Sequence, residues 1–200
     1  MTTKTKKWTA QLIPPQSGRR VLITGGNSGI GFETTRELAR RGAEIVLPAR
    51  SMAKAKAAIE RIRREIPSAV LIPAVLDLAS QGSVHEFAAW FSEYYPGPSI
   101  NLFIHNAGVM AIPKRELTVD GFERQFATNF LGPFALTALL YRRLRQESGN
   151  RIVIVRAQLP NGQRSTSITF RVSVATVQWP RHMVNRNSRT RCSLSNSTID

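Results

Sequence analysis

Thr24-Gly25-Gly26-Asn27-Ser28-Gly29-Ile30-Gly31 (TGGNSGIG) separates an apolar run, Arg20 to Thr24 (RVLIT), from an amphipathic stretch, Ile30 to Arg41. The apolar run stops at a glycine and reads as a buried strand. The stretch after it carries apolar or small residues at Ile30, Thr34, Leu38 and Ala39, charge elsewhere, and ends at Gly42, the pattern of a helix with a glycine stop. Glycines at 25, 29 and 31 in that setting allow a tight turn, close approach of backbone to a pyrophosphate, and packing of the helix on the sheet. The helix N-terminus then offers free N–H groups and a partial positive charge to the phosphates. A glycine-rich turn occurs in many α/β proteins; its place between strand and helix is what favours the phosphate reading.

The same alternation continues outward. Ile45 to Leu47 reads as a second strand, Ser51 to Glu65 as a basic helix opened by a serine cap, and Val70 to Leu76 as a third strand. A helix from Ser83 to Tyr94, a fourth strand from Asn101 to Ile104, a long helical stretch from Val119 to Leu144 interrupted at Gly132-Pro133, and a fifth strand from Arg151 to Val155 follow. Unbroken alternation implies βαβ units: an α/β fold with a doubly wound parallel sheet of about five strands and right-handed crossovers. Ligands in such sheets sit at the carboxyl ends of the strands.

The composition divides the chain. Of 200 residues, 42% are hydrophobic and 20% charged, which is globular, and no apolar run approaches the roughly 20 residues of a membrane span. The net charge is +15, of which +7 falls on residues 151–200, all of it arginine. Residues 1–18 read as a flexible basic lead without the apolar core of a signal peptide, 19–155 as the nucleotide-binding domain, and 156–200 as an irregular Arg/Ser/Thr-rich tail. That tail lacks aromatic platforms and helical amphipathicity, so no nucleic-acid partner is expected. Cys192 is the single cysteine, which excludes an internal disulfide and a multi-cysteine metal site and favours a reducing, cytoplasmic setting. No metal site is expected.

A nicotinamide cofactor of the NAD type meets an acid at the end of the second strand, about 20 residues past the glycines. Here the residues are Pro48-Ala49-Arg50-Ser51. Arg50 can pair with a 2′-phosphate, and Lys54 stands one helical turn on, so NADP is favoured over NAD.

Four ordered motifs now resemble one family. TGGNSGIG, LDL (Leu76-Asp77-Leu78) after the third strand, HNAG (His105 to Gly108) after the fourth, and TNFLGPF (Thr128 to Phe134) in the long helix are similar to the short-chain dehydrogenases/reductases. The branch is that of the retinol dehydrogenases and the WW-domain oxidoreductase. The resemblance covers about residues 14–155 and implies a Rossmann-type fold. It implies further that Gly25, Asn27, Ser28, Gly29, Ile30 and Gly31 line the pyrophosphate, Asp77 and Leu78 the adenine, and Asn106, Ala107 and Gly108 the ribose side. Asn129 would be the asparagine of the family's catalytic tetrad. His105 stands where the family more often has asparagine. Implied too are an oxidoreductase exchanging a hydride with an apolar carbonyl or alcohol, and a homo-oligomer is left open.

Family enzymes use a tyrosine as acid/base and a lysine four residues later that lowers its pKa, with a serine after the fifth strand. This chain has no tyrosine after Tyr141 and no lysine after Lys114, and the place for the serine reads Arg156-Ala157-Gln158. The chain as written is therefore expected to be inactive, leaving a dinucleotide-binding module or interaction protein as the alternative function. Loss of one nucleotide near codons 155 and 156 accounts for this. Read in the restored frame, Arg156 and Ala157 can decode to Ser-Ser, and His182 to Thr190 (HMVNRNSRT) to YGQSKLAN, the glycine being forced by the single codon of Met183. Without a pairing partner, the fifth strand would leave an apolar edge prone to aggregation.

Overall fold

The computed structural model describes residues 9–147, 149–158, 171–178 and 194–198, with side chains as far as Val155. The five expected strands form: β1 (Arg20–Thr24), β2 (Glu44–Ala49), β3 (Leu71–Val75), β4 (Leu102–His105) and β5 (Arg151–Gln158). They pair in parallel in the order β3-β2-β1-β4-β5. The helices between them are α1 (Gly29–Arg40), α2 (Met52–Glu65) and α3 (Gln81–Tyr94). Ser51 and Ser80 cap α2 and α3 by accepting from the backbone N–H of Lys54 and Ser83; such caps fix where a helix starts.

Alternation along β1 feeds two cores. Val21 and Ile23 face the cluster under α1 and α2, with Ile45, Leu47 and Ile62. Leu22 faces the opposite one, with Phe87, Phe91, Phe103, Leu136 and Leu140. Successive side chains of a strand point to opposite faces, so a sheet covered on both sides needs runs like VLI rather than apolar–polar alternation.

The long helical stretch departs from expectation at its start and at its interruption. Residues 117–123 form a tight hairpin, in which Thr118 N–H donates to the Phe122 carbonyl and Gly121 adopts a positive φ of 79°. Helix begins only at α4 (Arg124–Phe126), where the Glu123 carboxylate accepts from the N–H groups of Gln125 and Phe126. It widens to a π segment over Ala127–Leu131 and continues as α5 (Gly132–Leu140) without a break at Gly132-Pro133. Pro133 has no N–H to give, and the widened turn just before it, with Gly132 N–H bonded to the Ala127 carbonyl, absorbs the mismatch.

β5 runs to Gln158, three residues beyond Val155, so Arg156 and Ala157 lie within the strand. Two further strands, β6 (Arg171–Gln178) and β7 (Leu194–Thr198), continue the sheet; β6 pairs antiparallel with the whole of β5, from Arg151↔Gln178 to Gln158↔Arg171. The β5 edge is therefore paired rather than open. The restored-frame segment His182 to Thr190, and Cys192, lie outside the described residues. Among the described residues, no helix is long and apolar enough to cross a membrane.

Candidate functional site

A cleft of about 740 Å³ opens at the carboxyl ends of β1 to β4. It brings together segments far apart in sequence: Gly25, Asn27, Ser28 and Ile30 from the first turn, Arg50 and Lys54 after β2, Asp77 and Leu78 after β3, and Asn106, Ala107 and Gly108 after β4. Ten of the twelve residues expected at a cofactor thus share one cavity. Gly29 and Gly31 are outside its lining and act on its shape instead.

Gly29 has φ +55° with nothing near a Cβ, so its requirement is conformational. Gly31 is a matter of space. A Cβ there would lie 2.2 Å from the Gly25 carbonyl oxygen and 2.3 Å from Asn106 Nδ2. Helix α1 can rest on the end of β1 because this Cβ is missing. Its N-terminus is also uncapped: the Ser28 side chain makes no cap hydrogen bond, in contrast to Ser51 and Ser80. N–H groups at the first turn of α1 are left facing the cleft, the arrangement that favours an anion.

Asn106 closes the other side. Its Nδ2 donates to the carbonyls of Thr24 and Gly25 at 3.3 Å each, and its N–H and that of Ala107 donate to Thr24 Oγ1 at 3.2 Å. Thr24 therefore holds the ends of β1 and β4 together, a role the sequence reading missed. The only signal was a hydroxyl at the last position of a buried strand.

Arg50 is exposed at the end of β2, and among the described residues no acidic side chain pairs with Arg50 or Lys54. Asp77 uses one carboxylate oxygen to accept from Ala79 N–H at 3.0 Å, while its own N–H donates to Ser83 Oγ at 2.9 Å. The carboxylate thus shapes the β3–α3 loop, and Ser80, not Asp77, caps the helix. Leu78 abuts Gly132, whose Cβ would meet the Leu78 carbonyl oxygen at 2.2 Å.

Asn129 sits in the π segment, exposed, outside the cleft lining. Its Oδ1 accepts from Val109 N–H at 2.8 Å and its Nδ2 donates to the Val109 carbonyl at 2.7 Å. Both ends of the amide are committed to the strand-four loop. That loop carries Ala111 with φ +56°, a left-handed conformation uncommon for a residue with a Cβ.

His105, at the end of β4, is 4% exposed and holds Thr137 Oγ1 at 2.8 Å through Nε2. Thr137 donates its own hydroxyl to the Pro133 carbonyl, so His105 Nε2 carries the hydrogen and Nδ1 is bare. Among the described residues Nδ1 has no partner. Burial pushes the imidazole pKa from 6.5 down to about 4, so the ring is neutral. Among the described residues no three His, Cys, Asp or Glu side chains gather as a metal site would require.

Comparison with known proteins agrees with this geometry. A family model described as short chain dehydrogenase matches residues 19–167. Retinol dehydrogenase 13 of Homo sapiens is 45% identical over 136 residues, 68% of this chain and 40% of that protein. Polyprenol dehydrogenase of Mus musculus is 42% identical over 150 residues, 72% of this chain and 43% of that protein. The chain spans less than half the length of these two relatives. Among solved structures, a protein from Mycobacterium paratuberculosis at 43% identity superposes with a TM-score of 0.60, covering 70% of this chain and 47% of that one. The citronellol catabolism dehydrogenase of Pseudomonas aeruginosa PAO1, 25% identical, gives 0.61 over 76% and 62%. A family match over most of the chain, on a parallel sheet with its cleft at the strand ends, leaves one conclusion: this chain belongs to the short chain dehydrogenase family.

Proposed function

We propose that this chain binds a nicotinamide dinucleotide, NADP in preference to NAD, and derives from an oxidoreductase that interconverts carbonyl and alcohol groups on an apolar substrate. The observation that carries the reading is the cleft itself: the uncapped N-terminus of α1, the close packing at Gly31 that lets α1 rest on the end of β1, and the cations Arg50 and Lys54, which have no acidic partner among the described residues. The residues fit the group. Backbone N–H groups at Ser28 to Gly31 would take the diphosphate, Arg50 with Lys54 the 2′-phosphate, Asp77 and Leu78 the adenosine, and Asn106 to Gly108 the ribose on the other side. When bound, the nicotinamide would give or take a hydride. Retinol and polyprenol, which name two relatives, are apolar alcohols, in keeping with that substrate class.

The proton step is another matter. Residues 142–200 contain no tyrosine and residues 115–200 no lysine, so these residues supply neither the tyrosine acid/base nor its lysine neighbour. Asn129 is present, but positioned acid/base help is typically worth about 10²–10⁴-fold, and residues 142–200 offer no tyrosine to provide it. The second reading is thus a dinucleotide-binding module without turnover, and a one-base break near codon 155 is its proposed origin.

Titration of the folded chain with NADPH and NADH, followed by nicotinamide fluorescence, tests the reading. NADPH binding at least about tenfold tighter than NADH is expected. Equal affinities would remove the NADP preference, and binding of neither by a folded sample would remove the function. Sequencing the message across codons 150–160 tests the frame: one additional base restoring Ser-Ser is expected, and an unaltered sequence would make the tail native to this chain.

A further inference from the structure

We propose that the Glu116–Arg124 ion pair is a recognition element for the adenine ring, with Arg124 making the contact and Glu116 holding it in place. This rests on the dinucleotide reading above and adds residues that the motifs do not mark. The chain leaves β4, crosses the cleft rim, and turns at residues 117–123 before entering α4. The turn is pinned on the far side, because the Asp120 carboxylate accepts from Gln81 N–H at 2.8 Å, and Gln81 opens α3 just past the end of β3. The hairpin therefore stands at the β3 side of the cleft. That is the side of Arg50 and Asp77, where the adenosine lies if the diphosphate sits on α1.

Both members of the pair line the cleft. Backbone pairing sets their register: Arg124 N–H donates to the Glu116 carbonyl at 2.9 Å, and Leu117 bridges Glu123. Arg124 Nη1 then lies 2.8 Å from Glu116 Oε2, with the side chains 47% and 48% exposed. A pair this open contributes little to folding. It is placed where a ligand would cover it. A guanidinium with one edge held by a carboxylate keeps its flat faces free, and planar faces of arginine accept aromatic bases.

The test uses the full chain and two probes, NADPH and 2′,5′-ADP, with dissociation constants, far-UV circular dichroism and melting temperature recorded for each variant. Arg124→Met should weaken both probes about tenfold, Arg124→Lys should fail to restore them, and Glu116→Gln should weaken them about threefold. The salt dependence of 2′,5′-ADP binding should stay that of the wild type in Arg124→Met, whereas Arg50→Met should flatten it, because of these two arginines only Arg50 meets phosphate. Wild-type affinity in Arg124→Met, or full rescue by Arg124→Lys, overturns the proposal. Should Arg124→Met not fold, the isosteric Glu116→Gln carries the test, and an unchanged constant there overturns it. A folded wild type that binds neither probe overturns the dinucleotide reading itself, which is a different result from tight binding indifferent to Arg124.

Discussion

Gly31 and Gly25 are in backbone contact, so close that a methyl group on Gly31 would sit 2.2 Å from the Gly25 carbonyl oxygen. That oxygen also accepts from Asn106 Nδ2, so the contact joins the ends of β1 and β4 and the start of α1 at one point. Gly31→Ala must push α1 away from β1. Because the obstacle is backbone, the cost should reach about 3 kcal/mol, at the upper end for overpacking. The variant should melt several degrees lower and lose NADPH binding; unchanged affinity would show that the close approach does not shape the cleft.

Arg50 stands at the mouth of the cleft without an acidic partner among the described residues. Arg50→Met should weaken NADPH by about 10–100-fold, the loss of one charge-assisted contact, and leave NADH within about twofold. Isothermal titration with both nucleotides reads the difference. Parallel losses for the two would place Arg50 outside phosphate recognition.

Acid should destabilise the fold through His105. Its folded pKa of about 4 lies below the 6.5 of an unburied histidine, so between these values the unfolded chain binds the extra proton. Stability is complete above about pH 6.5, declines as pH falls toward 4, and is no further affected by this group below that. The decline should amount to about 3 kcal/mol at most. Thermal melts at several pH values should show His105→Asn losing less stability over this window than the wild type. Identical profiles would mean that another group controls the acid limb.

Solubility should be limited by a different surface from the sheet edge that the sequence suggests. β6 covers β5, but Phe126, Phe130 and Phe134, from α4, the π segment and α5, stack with ring centroids 5.5 and 6.4 Å apart, exposed by 47, 60 and 65%. Contiguous apolar surface of this kind promotes association. Replacing Phe130 and Phe134 by serine should raise the soluble fraction and lower binding of a hydrophobic dye, with no gain pointing back to the sheet.

Much of the site was legible because it depends on backbone. Gly25, Gly29, Ser28 and Asn106 announce themselves by type and spacing, since this turn needs glycine where φ is positive or a Cβ would intrude and a short amide where two strand ends meet. What escaped were Thr24, Glu116 and Arg124. A threonine ending a strand and a charged pair eight residues apart have many ordinary explanations, and only the pairing of β1 with β4 and the hairpin register single them out. The start of the long helix was missed for a related reason: Gly121 and the Glu123 cap form a turn whose apolar flanks, Val119 and Phe122, look helical in periodicity.

The sequence by itself determined the order of strands and helices, the glycine turn and the presence of a cation, Arg50, rather than an acid after β2, because these follow from local propensity and from residue identity at single positions. Only the tertiary structure decided that Asn129 spends its amide on Val109, that His105 is buried neutral against Thr137, and that one cleft collects Arg50, Asp77, Asn106 and Arg124. Those outcomes depend on distances between segments far apart in the chain, which the packing of two helical layers on a shared sheet sets and no local pattern encodes.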